Sequence, residues 1–176
     1  MTTPSKRICN LLAKALDMER KGKAYYDRMA RRCKNKQCRD IFKMLSGHED
    51  VHTERIQKIY DSLSAGGEWC EWEEPGKKHP ELGQVFRAMA KKYGADVTAN
   101  MSDIQALGLG VDFEAASVKF YRDNLKKAED KAQKEFFKKM ILEEREHHSA
   151  LSDMKLYLEN PSAWFQEKER SGLDGA

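Results

Sequence analysis

Glu19 is followed thirty residues later by Glu49 and then by His52, and Glu114 is followed thirty residues later by Glu144 and then by His147. Every member of the first set recurs in the second at an offset of 95 positions, and Tyr26 recurs as Tyr121 at the same offset. A single Glu-x-x-His is weak evidence, but two that share an upstream glutamate at one distance point to two copies of a helical hairpin. On a helix an i, i+3 pair projects from neighbouring points of one face, so Glu49 with His52 and Glu144 with His147 can each grip a metal-sized object. Four carboxylates carry four negative charges, which two divalent ions would neutralise while two imidazoles complete the coordination. Without cations, carboxylates crowded on an apolar face would repel one another and lose hydration worth several kcal/mol each. Oxygen and nitrogen ligands without thiolate favour iron or manganese, with zinc as an alternative occupant. Six protein ligands spread over two ions leave positions open to dioxygen or peroxide. Gly22 and Ser117, three positions after Glu19 and Glu114, are where space for such a molecule is expected.

These residues need long helices to hold them, and the apolar periodicity supplies four. In the first, Ile8, Leu12, Ala15, Glu19, Gly22, Tyr26, Met29 and Cys33 alternate steps of four and three, with Thr3 and Pro4 as the start signal. In the second the stripe runs Cys38, Phe42, Leu45, Glu49, His52, Ile56, Ile59 and Leu63, and it stops near Gly66 and Gly67. The third carries Leu107, Val111, Glu114, Tyr121 and Leu125 behind a capping box of Ser102 with Gln105. The fourth, capped by Asp130, carries Phe137, Met140, Glu144, His147, Leu151, Met154 and Leu158 and ends before Pro161. The expectation is an all-α protein, a four-helix bundle of two helical hairpins spanning residues 1–160. A crossover at about residues 66–100, with a short amphipathic helix over 82–93, joins the hairpins. It is long because parallel second and third helices oblige the chain to return along a whole helix length. Residues 161–176 form a tail in which Trp164 and Phe165 pack on the bundle before the chain frays.

Around the repeated set, Tyr26 and Tyr121 are read as core aromatics whose hydroxyls hydrogen-bond a ligand carboxylate. His48 and His148 adjoin ligand positions but are turned about 100° away and are read as bystanders, with His148 the substitute for His147 in a register shifted by one. Cys9, Cys33, Cys38 and Cys70 make no recognisable zinc or iron–sulfur spacing and are read as buried or incidental thiols of a reducing compartment. A net charge of +3, with basic clusters that no aromatic residues interleave, argues against a nucleic-acid partner. No stretch is apolar enough to cross a bilayer and Met1 to Asn10 contains no apolar core of a signal peptide, so a cytoplasmic location is expected.

The sequence resembles the ferritin-like superfamily and, within it, the rubrerythrin-like di-iron proteins. The matching pieces are Ala15-Leu16-Asp17-Met18-Glu19 leading to Tyr25-Tyr26, Gly47-His48-Glu49-Asp50-Val51-His52, Phe113-Glu114 leading to Phe120-Tyr121, and Glu143-Glu144-Arg145-Glu146-His147. The resemblance implies a ferritin-like bundle and two iron ions. Glu49 and Glu144 would bridge them, Glu19 and Glu114 would be terminal ligands, and His52 and His147 would hold one ion each. It implies an oxidoreductase that reduces peroxide or dioxygen in oxidative stress. Ferroxidase iron handling is one alternative, and a non-catalytic metal-binding, stress-associated scaffold is another. Rubrerythrins append a rubredoxin domain with paired Cys-x-x-Cys motifs, which this sequence does not carry, so the electrons are expected from an external donor such as a rubredoxin-type protein. They also carry a further glutamate one turn after the third-helix ligand, where this sequence has Ser117. A homodimer is the expectation by analogy with related bundles.

Overall fold

The computed structural model describes residues 4–70, 82–94 and 100–173, with the side chains of 4, 5, 93 and 168–173 left out of the description. Six helices follow one another: α1 (Pro4–Arg32), α2 (Lys36–Ser64), α3 (Leu82–Tyr93), α4 (Met101–Leu125), α5 (Lys131–Glu159) and α6 (Pro161–Leu173). No strand occurs among the described residues, and the fold is the all-α bundle expected of the periodicity. Thr3, and Trp72, Pro75, Gly76, His79 and Pro80 of the crossover, lie outside the described residues. Among the described residues no helix is long and apolar enough to cross a membrane.

Side-chain caps open four of the six described helices. Asn35 opens α2 by accepting a hydrogen bond from the Cys38 amide at 3.0 Å. Gly66, at φ 81°, takes the left-handed conformation that lets the chain leave α2 just beyond its last residue. Asp130 opens α5, accepting from the Gln133 amide at 2.8 Å. The start of α4 differs from the sequence reading. Its cap is Asn100, which accepts from the Ser102 amide at 3.0 Å, so Ser102 already lies inside the helix rather than capping it. Asn100 is as good a cap as serine, and the earlier start lets Asp103 reach the α1–α2 turn. There its carboxylate accepts the backbone amides of Lys34 and Asn35.

Helix α1 packs along α2 and α4 along α5; the hairpins meet through α1 against α4 and α2 against α5. Helix α3 rests on α5 and α2, and α6 folds back on α5. The tail is thus a helix over most of its length. Pro161 occupies the first turn, where its missing N–H costs nothing, and Asn160 caps it through the Ala163 amide at 3.0 Å. Trp164 is buried against Phe86 and Tyr157, ring centroids 5.3 and 5.6 Å away.

The core divides into two apolar clusters. One, toward the α1–α2 turn, includes Tyr26, Phe42, Leu45, Leu107, Leu151 and Met154; the other includes Leu12, Ala15, Ile56, Val118, Phe137 and Met140. Along every long helix, Glu19, Glu49, Glu114 and Glu144 fall between a residue of one cluster and a residue of the other. The polar layer is therefore held at mid-bundle between two dry layers, which keep water from both ends.

Candidate metal centre

All six residues singled out by the repeat are buried: Glu19, Glu49, His52, Glu114, Glu144 and His147 are each no more than 2% exposed. They converge because each occupies an inward stripe position at the same level of its helix. The Nδ1 atom of His52 lies 3.1 Å from Glu19 Oε2, 3.1 Å from Glu144 Oε1 and 3.7 Å from Glu49 Oε2. The Nδ1 atom of His147 lies 3.5 Å from Glu114 Oε1, 3.2 Å from Glu144 Oε2 and 3.4 Å from Glu49 Oε1. Glu49 and Glu144 thus each turn one oxygen to one imidazole and the other oxygen to the second. The two rings face each other, centroids 5.3 Å apart and 20° from parallel.

Several of these atoms make no hydrogen bond although water cannot reach them: both oxygens of Glu49 and of Glu144, Glu114 Oε2, and His147 Nδ1. Buried polar atoms are ordinarily satisfied, and an orphaned carboxylate oxygen costs free energy. Five buried carboxylate oxygens without a hydrogen-bond partner, converging with two imidazoles, fit a cation, and Glu49, His52, Glu144 and His147 offer four ligand atoms close enough to share one.

Electrostatics of the metal-free cluster run the same way. Burial, reinforced by the charges of Glu144 and Glu49, raises the Glu19 carboxyl well above its ordinary value; burial and Glu144 do the same to Glu114. Burial would lower His52 and His147, but the surrounding carboxylates outweigh it and hold both imidazoles protonated well above the usual range. Burial is likewise outweighed at Glu49, by a hydrogen bond from the Glu19 carboxyl and then by the two imidazoles, and at Glu144 by the imidazoles alone, so both carboxyls stay low.

Tyr26 and Tyr121 reach across the bundle rather than along their own helices. The Tyr26 hydroxyl on α1 donates to Glu114 on α4, and the Tyr121 hydroxyl on α4 donates to Glu19 on α1. Burial and the neighbouring carboxylates raise both phenols, so they remain donors. Each fixes one glutamate of the opposite hairpin.

Three participants escaped the sequence reading. His48 is no bystander: its Nδ1 lies 3.2 Å from Nε2 of His147, on the ring edge away from the carboxylates. The corresponding edge of His52 meets Glu143, with Nε2 to Oε2 at 3.2 Å. Arg55, buried in α2, grips both oxygens of Glu143 and also contacts Met140 Sδ at 3.1 Å. Burial would raise Glu143, but His52 and Arg55 prevail and lower it to about 2. Positions 48 and 143 are themselves related by the 95-residue offset, so the signal was present as a polar residue preceding Glu49 and Glu144. His148 stays outside the cluster, half-buried, and the register needs no shift.

The expectation of open space beside Gly22 is corrected. A Cβ there would meet the edge of the Phe113 ring at 2.7 Å, so an aromatic ring already fills the gap. Ser117 is buried and its hydroxyl donates to the Phe113 carbonyl at 3.3 Å, within its own helix.

A family model described as Rubrerythrin matches residues 10–155, from the first third of α1 to near the end of α5. No curated protein and no solved structure matches the chain.

Proposed function

Since the chain belongs to the rubrerythrin family, we propose that it is a carboxylate-bridged di-iron oxidoreductase that reduces peroxide or dioxygen with electrons from an external donor. The observation that carries this reading is the convergence of buried carboxylate and imidazole groups in which five carboxylate oxygens have no hydrogen-bond partner. Glu49 and Glu144 would bridge two ions, because each already divides its oxygens between the two histidines. Glu19 with His52 would complete one position, and Glu114 with His147 the other.

Iron held by these residues would supply the electrons that reduce the oxidant. The chain's own residues prepare the site. Tyr121 and Tyr26 hold Glu19 and Glu114 in orientation, which lowers the reorganisation needed on binding. Arg55 fixes Glu143, and Glu143 in turn fixes the His52 ring so that Nδ1 points inward. The apolar clusters above and below exclude bulk water. Ser117, where rubrerythrins of the usual pattern carry a further glutamate, leaves α4 contributing one carboxylate, Glu114.

Anaerobic loading with ferrous iron, followed by peroxide, tests the reading. The expected result is one fast oxidation of about two irons per chain that then waits for a reductant such as a rubredoxin-type protein. Continued consumption of added ferrous iron would identify a ferroxidase instead. Fewer than one metal per chain in protein isolated from its own host, or metal content unchanged by Glu49→Ala with Glu144→Ala, would remove the metal reading altogether.

A further inference from the structure

Cys33 and Cys38 flank the turn between α1 and α2, and their sulfurs lie 2.8 Å apart. Both are buried, Cys33 at 5% exposure and Cys38 at none. A disulfide requires sulfurs about 2.0 Å apart, so closure asks for a movement of under about 1 Å. We propose that this pair is a two-electron redox site oxidised by hydroperoxide, with Cys33 the attacking sulfur and Cys38 the resolving one.

The roles follow from placement. Cys33 keeps the residual exposure and lies between Arg32 and Lys34, both at the surface, whereas Cys38 is sealed in the first turn of α2. The Cys38 S–H donates to Cys33 Sγ. That hydrogen bond, together with burial, pushes the Cys38 thiol well up, so it retains its proton until it is needed. Asp103 is close enough to form a three-residue cluster with the two cysteines, but both its oxygens are committed to the amides of Lys34 and Asn35. Those bonds, and Arg39 donating to the Cys33 and Lys34 carbonyls at 3.0 and 2.6 Å, hold the turn and leave the sulfurs to react with each other.

The chemistry balances in two steps. Cys33 Sγ attacks one peroxide oxygen: an S–O bond forms, the O–O bond breaks, and the departing hydroxide takes the Cys33 thiol proton to leave as water. Cys38 Sγ then attacks the sulfenic sulfur: the S–S bond forms, the S–O bond breaks, and the Cys38 proton leaves with that hydroxide as a second water. Two electrons pass from the thiol pair to one peroxide. A resolving thiol already in contact stops Cys33 short of the irreversible acids.

The test is peptide mapping of the full chain after brief exposure to hydrogen peroxide, denaturation and alkylation. Trypsin cuts after Lys34 and Lys36, between the two cysteines, so a disulfide gives one cross-linked pair of peptides and reduced thiols give two separate alkylated ones. The expected result is loss of alkylation at both Cys33 and Cys38 with appearance of the linked pair. In C38S, dimedone is expected to trap a sulfenic acid at Cys33; in C33S it is expected to leave Cys38 unlabelled. Chain produced in iron-depleted, zinc-supplemented medium should form the link equally, since zinc carries no redox chemistry. Both thiols still alkylated under exposure that oxidises the more accessible Cys9 and Cys70 would overturn the proposal. So would a dimedone adduct at Cys38 in C33S, or a link that forms only with iron.

Discussion

Loading the cluster with divalent metal should expel protons, and their number follows from which groups hold them in its absence. Glu19 and Glu114 are held protonated by burial and by the charges beside them, and His52 and His147 are held protonated by the acidic side chains they face. Glu49 and Glu144 stay ionised between the two imidazoles. Two negative and two positive charges make the metal-free site neutral. Two divalent ions bring four positive charges and need every ligand deprotonated, so they displace about four protons per chain, or about two per ion. Apparent affinity per ion should then rise about 100-fold for each pH unit across which those groups are protonated.

Stability moves in the opposite sense. A group raised by folding stabilises the native state below its unfolded pKa, and that contribution is lost as pH rises through the folded value. Starting from ordinary values of 4.5 for glutamate and 6.5 for histidine, all four raised groups therefore cost stability as pH climbs. Each contributes at most about 1.4 kcal/mol per pH unit within its window. Glu49, Glu144 and Glu143 act on the acid side, where their contribution is present above 4.5 and disappears as pH falls through their lowered values. Metal-free protein should melt at its highest temperature in mild acid and lose stability toward alkaline pH, where bound metal restores most. Calorimetric titration with cobalt or anaerobic ferrous iron, in buffers of different ionisation enthalpy, counts the protons. Release of fewer than one proton per ion, or an affinity unchanged between about pH 6.5 and 7.5, would refute the charge count.

Other substitutions separate the supporting contacts. Glu143→Gln removes the anionic partner of His52 Nε2 and should weaken the position held by His52 about 10- to 100-fold while sparing that of His147, seen as two well-separated binding steps. Tyr121→Phe, which frees Glu19, should lower metal affinity on the same scale with the helix content by circular dichroism unchanged. Gly22→Ser places the residue of the related position where Phe113 now sits, and overpacking of about 1–3 kcal/mol should lower Tm by about 2–4 °C per kcal/mol; an unchanged or higher melt would contradict the close contact. Trp164→Ala empties the pocket that seats α6 and should cost about 3–5 kcal/mol in denaturant unfolding; a loss under about 1 kcal/mol would mean that α6 contributes little.

Local signals were read well where the physics is local. The helix of the crossover, expected over 82–93, spans Leu82–Tyr93, because its amphipathic stripe lies between a proline and a glycine that cannot continue it. Asp130 caps α5 as expected, since a cap reaches only three residues ahead. The start of α4 was misplaced by two residues because Asn100 and Ser102 are chemically equivalent candidates, and the choice depends on Asp103 reaching another helix. The tail after Pro161 carries a packing signal in Trp164 but no clear helical one, because thirteen residues hold little helix alone and Trp164 is secured in part by Phe86, distant in sequence.

From its sequence alone this protein has four long helices whose inward stripes carry the repeated glutamates and histidines at one level. Helical periodicity and the 95-residue repeat determine that much, because both act along a single helix or between copies of one. What only the tertiary structure decided is how the halves face each other and where they stop being alike. Tyr26 serves Glu114 and Tyr121 serves Glu19; His52 leans on Glu143 and Arg55, whereas His147 meets His48; the gap at Gly22 belongs to Phe113. These pairings depend on the rotation and axial shift of one helix against another, which side-chain packing across the bundle fixes and no period along the chain encodes.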